Sequence, residues 1–469
     1  LKSQGKLFRL KQSWQKMVPL TRVMKLALVA FLSAPACPAE AWSFYKMSPN
    51  CEVHGTGWFW HASRWFWSWF YVPPPECSEA EEFLQRFFDV GTWLVASKRE
   101  ALLEELATHK EIVLEGAREK IVAYMKEQFV DIMGRVTMEL AEKSMIDSEP
   151  LRSFMDESAW PTSSLERDEA TPVIVVPGVS SSCEGLALYV TRFLKHYLNT
   201  DHVECISDGD THADQVAWSW FTAAEDAVEY FRQRVLSNPI YADRGFNVIA
   251  FSQGNFLTRG YVQQYSGMTI DGQFHPVAKS WIAMNGPVFG QGGIPTVDNS
   301  KWSGAVMDEF SGLACDNAFF AGVFLPCGYH RIPSKVSGEG YRSRLTAKMN
   351  GEDLGPDATA AEREAQEAFL ARSKENINRL ESFVAIKNKG DTVIKPLAAE
   401  WLGTYGSTFQ EVLEFHETDY YKRDTFGFKT LHDSGKIHFL ETPGELEHVI
   451  FGTDDLRGWV DSYWVDATV

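Results

Sequence analysis

The chain is most constrained by a change of texture near residue 171. From there on, short apolar, β-branched runs alternate with stretches of helical period. Val173-Ile174-Val175-Val176 is such a run and ends in Pro177-Gly178. A strand with no apolar–polar alternation is one covered on both faces, as in a parallel sheet. Residues 186–197 read as a helix, 203–206 as a strand and 214–236 as one helix. Asn247-Val248-Ile249-Ala250-Phe251 reads as a further buried strand, with a helix from Gln253. Repeated strand–helix–strand units require right-handed crossovers, so the expected class is α/β with a mainly parallel central sheet.

The third strand runs into Ala250-Phe251-Ser252-Gln253-Gly254. A strand, a small-x-Ser-x-Gly turn and a helix, in that order, lift a serine to the C-terminal edge of a sheet. The flanking positions must be small where strand and helix backbones approach; Gly254 meets this, and Ala250 adds one methyl where glycine is usual. Ser252 is therefore the candidate nucleophile, with a helix N-terminus beside it to favour a developing oxyanion. The two expected oxyanion donors are the amides of Gln253 and of Val179, in the loop after the first strand. The structural alternative for Ser252 is a helix N-cap.

A serine nucleophile needs a base and a residue to orient it, here expected in the chain order Ser, acid, His. Ser382-Phe383-Val384-Ala385-Ile386-Lys387 reads as a strand, and Asp391 lies on the turn after it. Four histidines follow: His416, His432, His438 and His448. His438 falls inside the strand 436–440, and His416 and His432 precede that strand. His448 comes in the loop after it and is the expected base.

Residues 1–41 read as a targeting segment. Lys25 precedes an apolar run from Leu26 to Leu32, too short to span a bilayer, and small residues follow. Residues 42–77 crowd Trp58, Trp60, Trp65, Trp67 and Trp69 together with Phe and Tyr. This Trp-rich segment, Trp58 to Trp69, is a candidate membrane-surface contact, with a packed aromatic patch as the alternative. Residues 78–146 have helical spacing, and 147–170 read as a linker. The charge of −18 excludes nucleic acid as a natural partner. Removing the targeting segment leaves six of seven cysteines, for which neighbour pairing gives Cys51–Cys77, Cys183–Cys205 and Cys315–Cys327. Such pairs belong to an oxidising compartment. No CxxC occurs, so no zinc ribbon is expected, and the proposed chemistry needs neither metal nor organic cofactor.

These residues resemble the palmitoyl-protein thioesterases, most closely the lysosomal type. The resemblance runs from Thr171 to near Val465. It rests on 383–387, on Gly390-Asp391-Thr392-Val393-Ile394-Lys395-Pro396, and on Glu400-Trp401-Leu402-Gly403-Thr404-Tyr405. Asp424-Thr425-Phe426-Gly427-Phe428-Lys429 and Gly435-Lys436-Ile437-His438-Phe439-Leu440 keep the same order, as does Asn285-Gly286 through Gly293-Ile294-Pro295. Pro177-Gly178 stands where the family usually has His-Gly. The resemblance implies an α/β-hydrolase with a helical insertion, roughly 312–378, that helps form an acyl groove; the N-terminal helical extension is read from the spacing of 78–146 and lies outside the resemblance. It implies Ser252, Asp391 and His448 as the catalytic residues, Val179 and Gln253 as oxyanion donors, and long-chain fatty acyl thioesters of S-acylated proteins or peptides as substrates. It also implies a secretory-pathway location: lysosome, vacuole or outside the cell. The rival readings are a lipase or esterase acting on oxygen esters, and an inert hydrolase-fold protein that binds a membrane or partner.

Overall fold

The computed structural model describes residues 148–161, 170–292 and 354–464, with residues 315, 322–331, 333, 336, 341 and 344–352 between them. The expectations for 1–146, including the Trp-rich segment, Cys51 and Cys77, lie outside the described residues.

Six strands form the main sheet: β1 (Val173–Val176), β2 (Val203–Cys205), β3 (Phe246–Phe251), β4 (Ala278–Met284), β5 (Ser382–Lys387) and β6 (Ile437–Glu441). Their spatial order is β6-β5-β4-β3-β1-β2, and every neighbouring pair is parallel. β1 and β3 are buried along their whole length, as their unbroken apolar character requires. Successive side chains leave a strand on opposite faces. Ile174, Val176, Val248, Ala250 and Trp281 pack on one side with Val228, Phe231, Phe256 and Tyr261. Val173, Val175, Ile249, Phe251 and Ile282 pack on the other with Val190, Phe193, Leu194, Leu456 and Val460. The result is three layers: helices, sheet, helices. This is the α/β-hydrolase fold.

The helices that matter for the site are α1 (Leu186–Tyr197), α2 (His212–Trp220), α3 (Ala224–Ser237), α4 (Gly254–Gln264), α5 (Ala360–Ile377) and α6 (Thr453–Tyr463). The single helix expected over 214–236 is two. α2 starts at a capping box between Thr211 and Asp214 and ends at Phe221, whose amide closes on the Ala217 carbonyl. α3 begins afresh after Ala223. The break leaves the last carbonyls of α2 without helical partners, free for other donors.

The expected linker is in part core. Phe154 and Trp160 are buried, and both rings meet Phe193 of α1 edge-on. Phe154 also packs against Phe451. Aromatic burial of this kind attaches the segment to the sheet's α1 face, which a stretch rich in Pro, Ser and acidic residues did not advertise. Two of the expected disulfides are formed, Cys183–Cys205 and Cys315–Cys327. The described part of the insertion expected over 312–378 includes the helices Leu325–Tyr329 and Leu345–Asn350 and α5.

In this strand order the chain leaves β1 to one side for β2 and crosses back to the other side for β3. Ligand sites in open parallel sheets form at the carboxyl ends of strands flanking such a reversal. The loops after β1 and β3 carry Pro177-Gly178-Val179 and Ser252.

Candidate active site

Ser252 follows the last residue of β3 and precedes α4, with φ of 49°. Positive φ is unfavourable for a residue with a side chain and persists where the surroundings over-determine it. Here they do. The Ser252 amide donates to the Met284 carbonyl at 2.9 Å. Below the turn, Asn255 Nδ2 donates to the carbonyls of Ala250, Ser252 and Met284, each at 3.1 Å. Asn255 is itself aimed by Trp281, whose indole N–H donates to its Oδ1 at 3.0 Å.

The loop after β1 is pressed against this turn. A methyl group on Gly178 would stand 2.9 Å from Ser252 Cβ, and one on Gly254 would stand 2.5 Å from the Val176 carbonyl oxygen. Only glycine allows β1, the turn and α4 to come this close. Gln253 opens the helical turn, where an N–H has no carbonyl four residues back in the helix to accept it. The Gln253 side chain is fixed at both ends: Nε2 donates to the Ser219 carbonyl at 2.8 Å, and Oε1 accepts from the Tyr329 hydroxyl at 3.0 Å. Ser219 also holds the opposite loop, since its Oγ accepts from the Ser180 amide at 3.0 Å. Ser180 Oγ in turn accepts from the Trp220 indole N–H at 2.8 Å. The break after α2 is what makes this possible: it exposes the Ser219 carbonyl between the two loops that carry Val179 and Gln253.

Asp391 and His448 are in direct contact, with Nδ1 and Oδ2 at 2.5 Å. Asp391 Oδ1 accepts from the amides of Val393 at 2.6 Å and Ile394 at 3.1 Å. Burial pushes the Asp391 carboxyl up. The His448 imidazole, with hydrogen bonds from His448, Glu400 and the Val393 amide, outweighs burial and holds it well below the usual carboxylate range. The loops carrying the two residues are stitched together: Asn388 Nδ2 donates to the carbonyls of Glu447 and Ile450, and the Gly390 amide to Leu446. The His448 loop shares neighbours with Ser252. Asn285, next to Met284, accepts the Val449 amide on its Oδ1 at 2.9 Å, and the ring of Phe451 stacks on Phe251 at 5.7 Å.

The other three histidines are placed elsewhere. The His438 ring lies against Tyr463, and His416 and His432 form a cluster with Phe415 and Tyr421.

Sequence reasoning passed over Glu400, which is fully buried on the short 3-10 helix Leu397–Trp401. Its Oε2 accepts from Asn285 Nδ2 at 2.8 Å and from the Asn388 amide at 3.0 Å. The sign available was a Glu nine residues past the candidate acid. Among the described residues, Asp391, Glu400 and His448 are the one group whose ligand atoms cluster within 4.8 Å of one another, close enough for a metal site. The donor set does not fit one. Two atoms bound to a tetrahedral ion at about 2.0–2.1 Å stand about 3.4 Å apart, whereas Nδ1 and Oδ2 are at the separation of a shared proton.

A sequence profile of the palmitoyl protein thioesterase family matches residues 172–448. Palmitoyl-protein thioesterase 3 of Dictyostelium discoideum is 26% identical over 272 residues, which are 58% of this chain and 83% of that protein. Lysosomal thioesterase PPT2-B of Xenopus laevis is 27% identical over 278 residues, 59% of this chain and 85% of its own length. The human lysosomal thioesterase PPT2 is 27% identical over 269 residues, 57% of this chain and 78% of that one. The match begins at the strand that opens the sheet and ends at the imidazole paired with Asp391, so the part of the chain that builds the site is the part shared with these enzymes: the chain belongs to the palmitoyl protein thioesterase family of hydrolases.

Proposed function

We propose that the protein removes long-chain fatty acyl groups from S-acylated cysteine in proteins or peptides, with Ser252 as nucleophile, His448 as base and Asp391 as the residue that orients it. The observation that carries this reading is the His448–Asp391 hydrogen bond, in a loop that shares Asn285 and Phe251 with the strained Ser252 turn. His448 takes the Ser252 proton as the hydroxyl oxygen attacks the thioester carbonyl. The amides of Val179 and Gln253 receive the oxyanion, and each such donor contributes about 3–4 kcal/mol to the transition state. The C–S bond breaks as the tetrahedral intermediate collapses, and the leaving sulfur, easily expelled because a thiol of pKa about 8.5 is a far better leaving group than an alcohol, takes the proton from the His448 imidazolium, which returns the imidazole to its basic form. Water, activated by the same imidazole, then cleaves the acyl-enzyme. Asp391 fixes the imidazole tautomer and stabilises its charge without itself taking the proton.

The two disulfides and the relatives named as lysosomal support a secretory-pathway or lysosomal location. The Trp58 to Trp69 segment remains our candidate for contact with the membrane surface that presents the acyl chains; among the described residues no helix is long and apolar enough to cross a membrane.

The test is turnover of a palmitoyl thioester beside a matched oxygen ester, with labelling by a fluorophosphonate probe. Wild type labels at Ser252 and prefers the thioester; Ser252→Ala neither labels nor turns over. Preference for the oxygen ester would make the protein an esterase, and folded protein that does not label would remove the nucleophile.

A further inference from the structure

Glu400 stands outside the mechanism just given, yet one of its carboxyl oxygens lies within 4.8 Å of the ligand atoms of Asp391 and His448. The two oxygens of Glu400 are unlike. Oε2 takes two N–H donors, from Asn285 and Asn388. Oε1 is buried, and among the described residues no N–H or O–H donor reaches it. A buried carboxylate oxygen with no donor costs several kcal/mol, and two ionised carboxylates in contact cost more. One proton between them removes both penalties. Asp391 accepts from the amides of Val393 and Ile394 and from His448, three donors that all favour its ionised form. The proton therefore belongs on Glu400 Oε1.

We infer that Glu400 is a positioning residue: a carboxylic acid that stays protonated at neutral pH and donates its O–H to Asp391, extending the line Ser252, His448, Asp391 by a fourth member. Burial, followed by the neighbouring Asp391 charge, pushes the Glu400 carboxyl up to about 11, in keeping with this placement. The groups facing it are few. Asp391 comes from the loop after β5, and His448 lies behind it from the loop after β6. Lys387 at the end of β5 and Lys389 in the loop after it pair with Glu441, and Lys387 also lies over the Trp401 ring. Glu400 has two effects. It fixes the rotamer of Asp391, and its shared proton tempers the basicity of that carboxylate toward its hydrogen-bond partners. Through Oε2 it also clamps Asn285 and Asn388, which hold Val449 and the 447–450 loop.

This inference rests on the reading of Ser252, His448 and Asp391 as the catalytic line, and one arm of its test does not. The infrared difference spectrum of wild type minus Glu400→Gln at pH 7 should contain the C=O stretch of a protonated carboxyl; its absence overturns the inference whatever the activity. The second arm is the pH profile of kcat/KM on an acyl thioester. Glu400→Leu should lose about tenfold or more in kcat and move the acid limb to higher pH by about half a unit or more. Glu400→Gln, whose amide donates as the acid does, should rescue both. A Glu400→Gln profile displaced to lower pH would mean that a negative charge had been removed, and would overturn the inference. If Glu400→Leu does not fold, the Gln profile and the infrared band decide between them. If wild type fails to label at Ser252, the catalytic reading falls and the infrared band still decides the protonation of Glu400.

Discussion

At the scale of the residue, the site depends on side chains that never touch substrate. Ser219 is the clearest: its carbonyl anchors Gln253 and its hydroxyl anchors Ser180, so one residue sets the spacing of the two proposed oxyanion donors. Ser219→Ala leaves the carbonyl and removes the hydroxyl. The hydroxyl also donates to the Val216 carbonyl within α2 at 2.6 Å; the loss of its bond to Ser180, about 1 kcal/mol, should lower kcat about fivefold and leave KM little changed, because a misplaced donor is felt in the transition state. Steady-state kinetics on a short-chain acyl thioester, with a thermal melt to confirm folding, would check this; a raised KM at constant kcat would instead put Ser219 in ground-state binding. Nothing in the sequence pointed to Ser219. Residues 214–236 keep a helical period throughout, and the break that frees the Ser219 carbonyl is set by tertiary contacts of Trp220 and the nucleophile turn. Ser252 was legible for the opposite reason. Its strand, turn and helix are all written in one stretch, residues 246–264, so the local pattern is sufficient to place it on the turn. Asp391 and His448 were read from strand ends, where a side chain reaches the rim only after the last paired residue. Glu400 was visible as the first residue of the family stretch 400–405, but its place beside Asp391 was not readable, because no local pattern says that a 3-10 helix will fold back beneath the acid loop.

At the scale of elements, the close approach of β1, the turn and α4 is the costly contact, and glycine makes it feasible. Gly254→Ala would press a methyl against the carbonyls of Val176 and Pro177, both backbone atoms that cannot swing away. α4 must then lift off the sheet, at a cost of about 1–3 kcal/mol. The melting temperature should fall, and fluorophosphonate labelling should slow by more than the loss of folded protein explains, since the Gln253 amide moves with α4. Unchanged labelling at a lowered melting temperature would separate that amide from the oxyanion role. The Cys183–Cys205 disulfide acts at the same level, tying the loop before α1 to the edge strand β2 across a sequence separation of 22. Closing a loop of this length removes about 3 kcal/mol of unfolded-state entropy in the chain-entropy account. The double variant Cys183→Ser, Cys205→Ser should lose roughly that much stability in a denaturant titration; a loss well under 1 kcal/mol would show that β2 is held by its ladder to β1 alone. The pair was expected only because the two cysteines are neighbours in sequence order; the packing of Phe154 and Trp160 was not expected, because their partners Phe193 and Phe451 lie far off in the chain.

At the scale of the whole molecule, two carboxyls with opposite shifts set the pH at which the fold is most stable. Asp391 is depressed from 3.8, so its contribution is present above that value and is lost as pH falls below it. Glu400 is raised from 4.5 to about 11, so its contribution is fully present below 4.5 and drains away as pH climbs toward 11. The two windows overlap in mildly acidic solution, between about pH 4 and 5. Net charge pulls the same way: at −18 the chain repels itself at pH 7, and protonation of surface carboxylates relieves this as the pH drops toward the sequence pI of about 5.2. Wild type should therefore melt at a higher temperature near pH 5 than at pH 8. Glu400→Gln has no proton to hold, so it should gain on wild type by up to about 1.4 kcal/mol for each pH unit above 5, the equivalent of one pKa unit. Chemical denaturation of both proteins at pH 5, 6.5 and 8 reads this directly. Parallel stabilities across that range would mean that Glu400 ionises in the folded state as readily as in the unfolded one, and the acid preference would then belong to the surface charge alone.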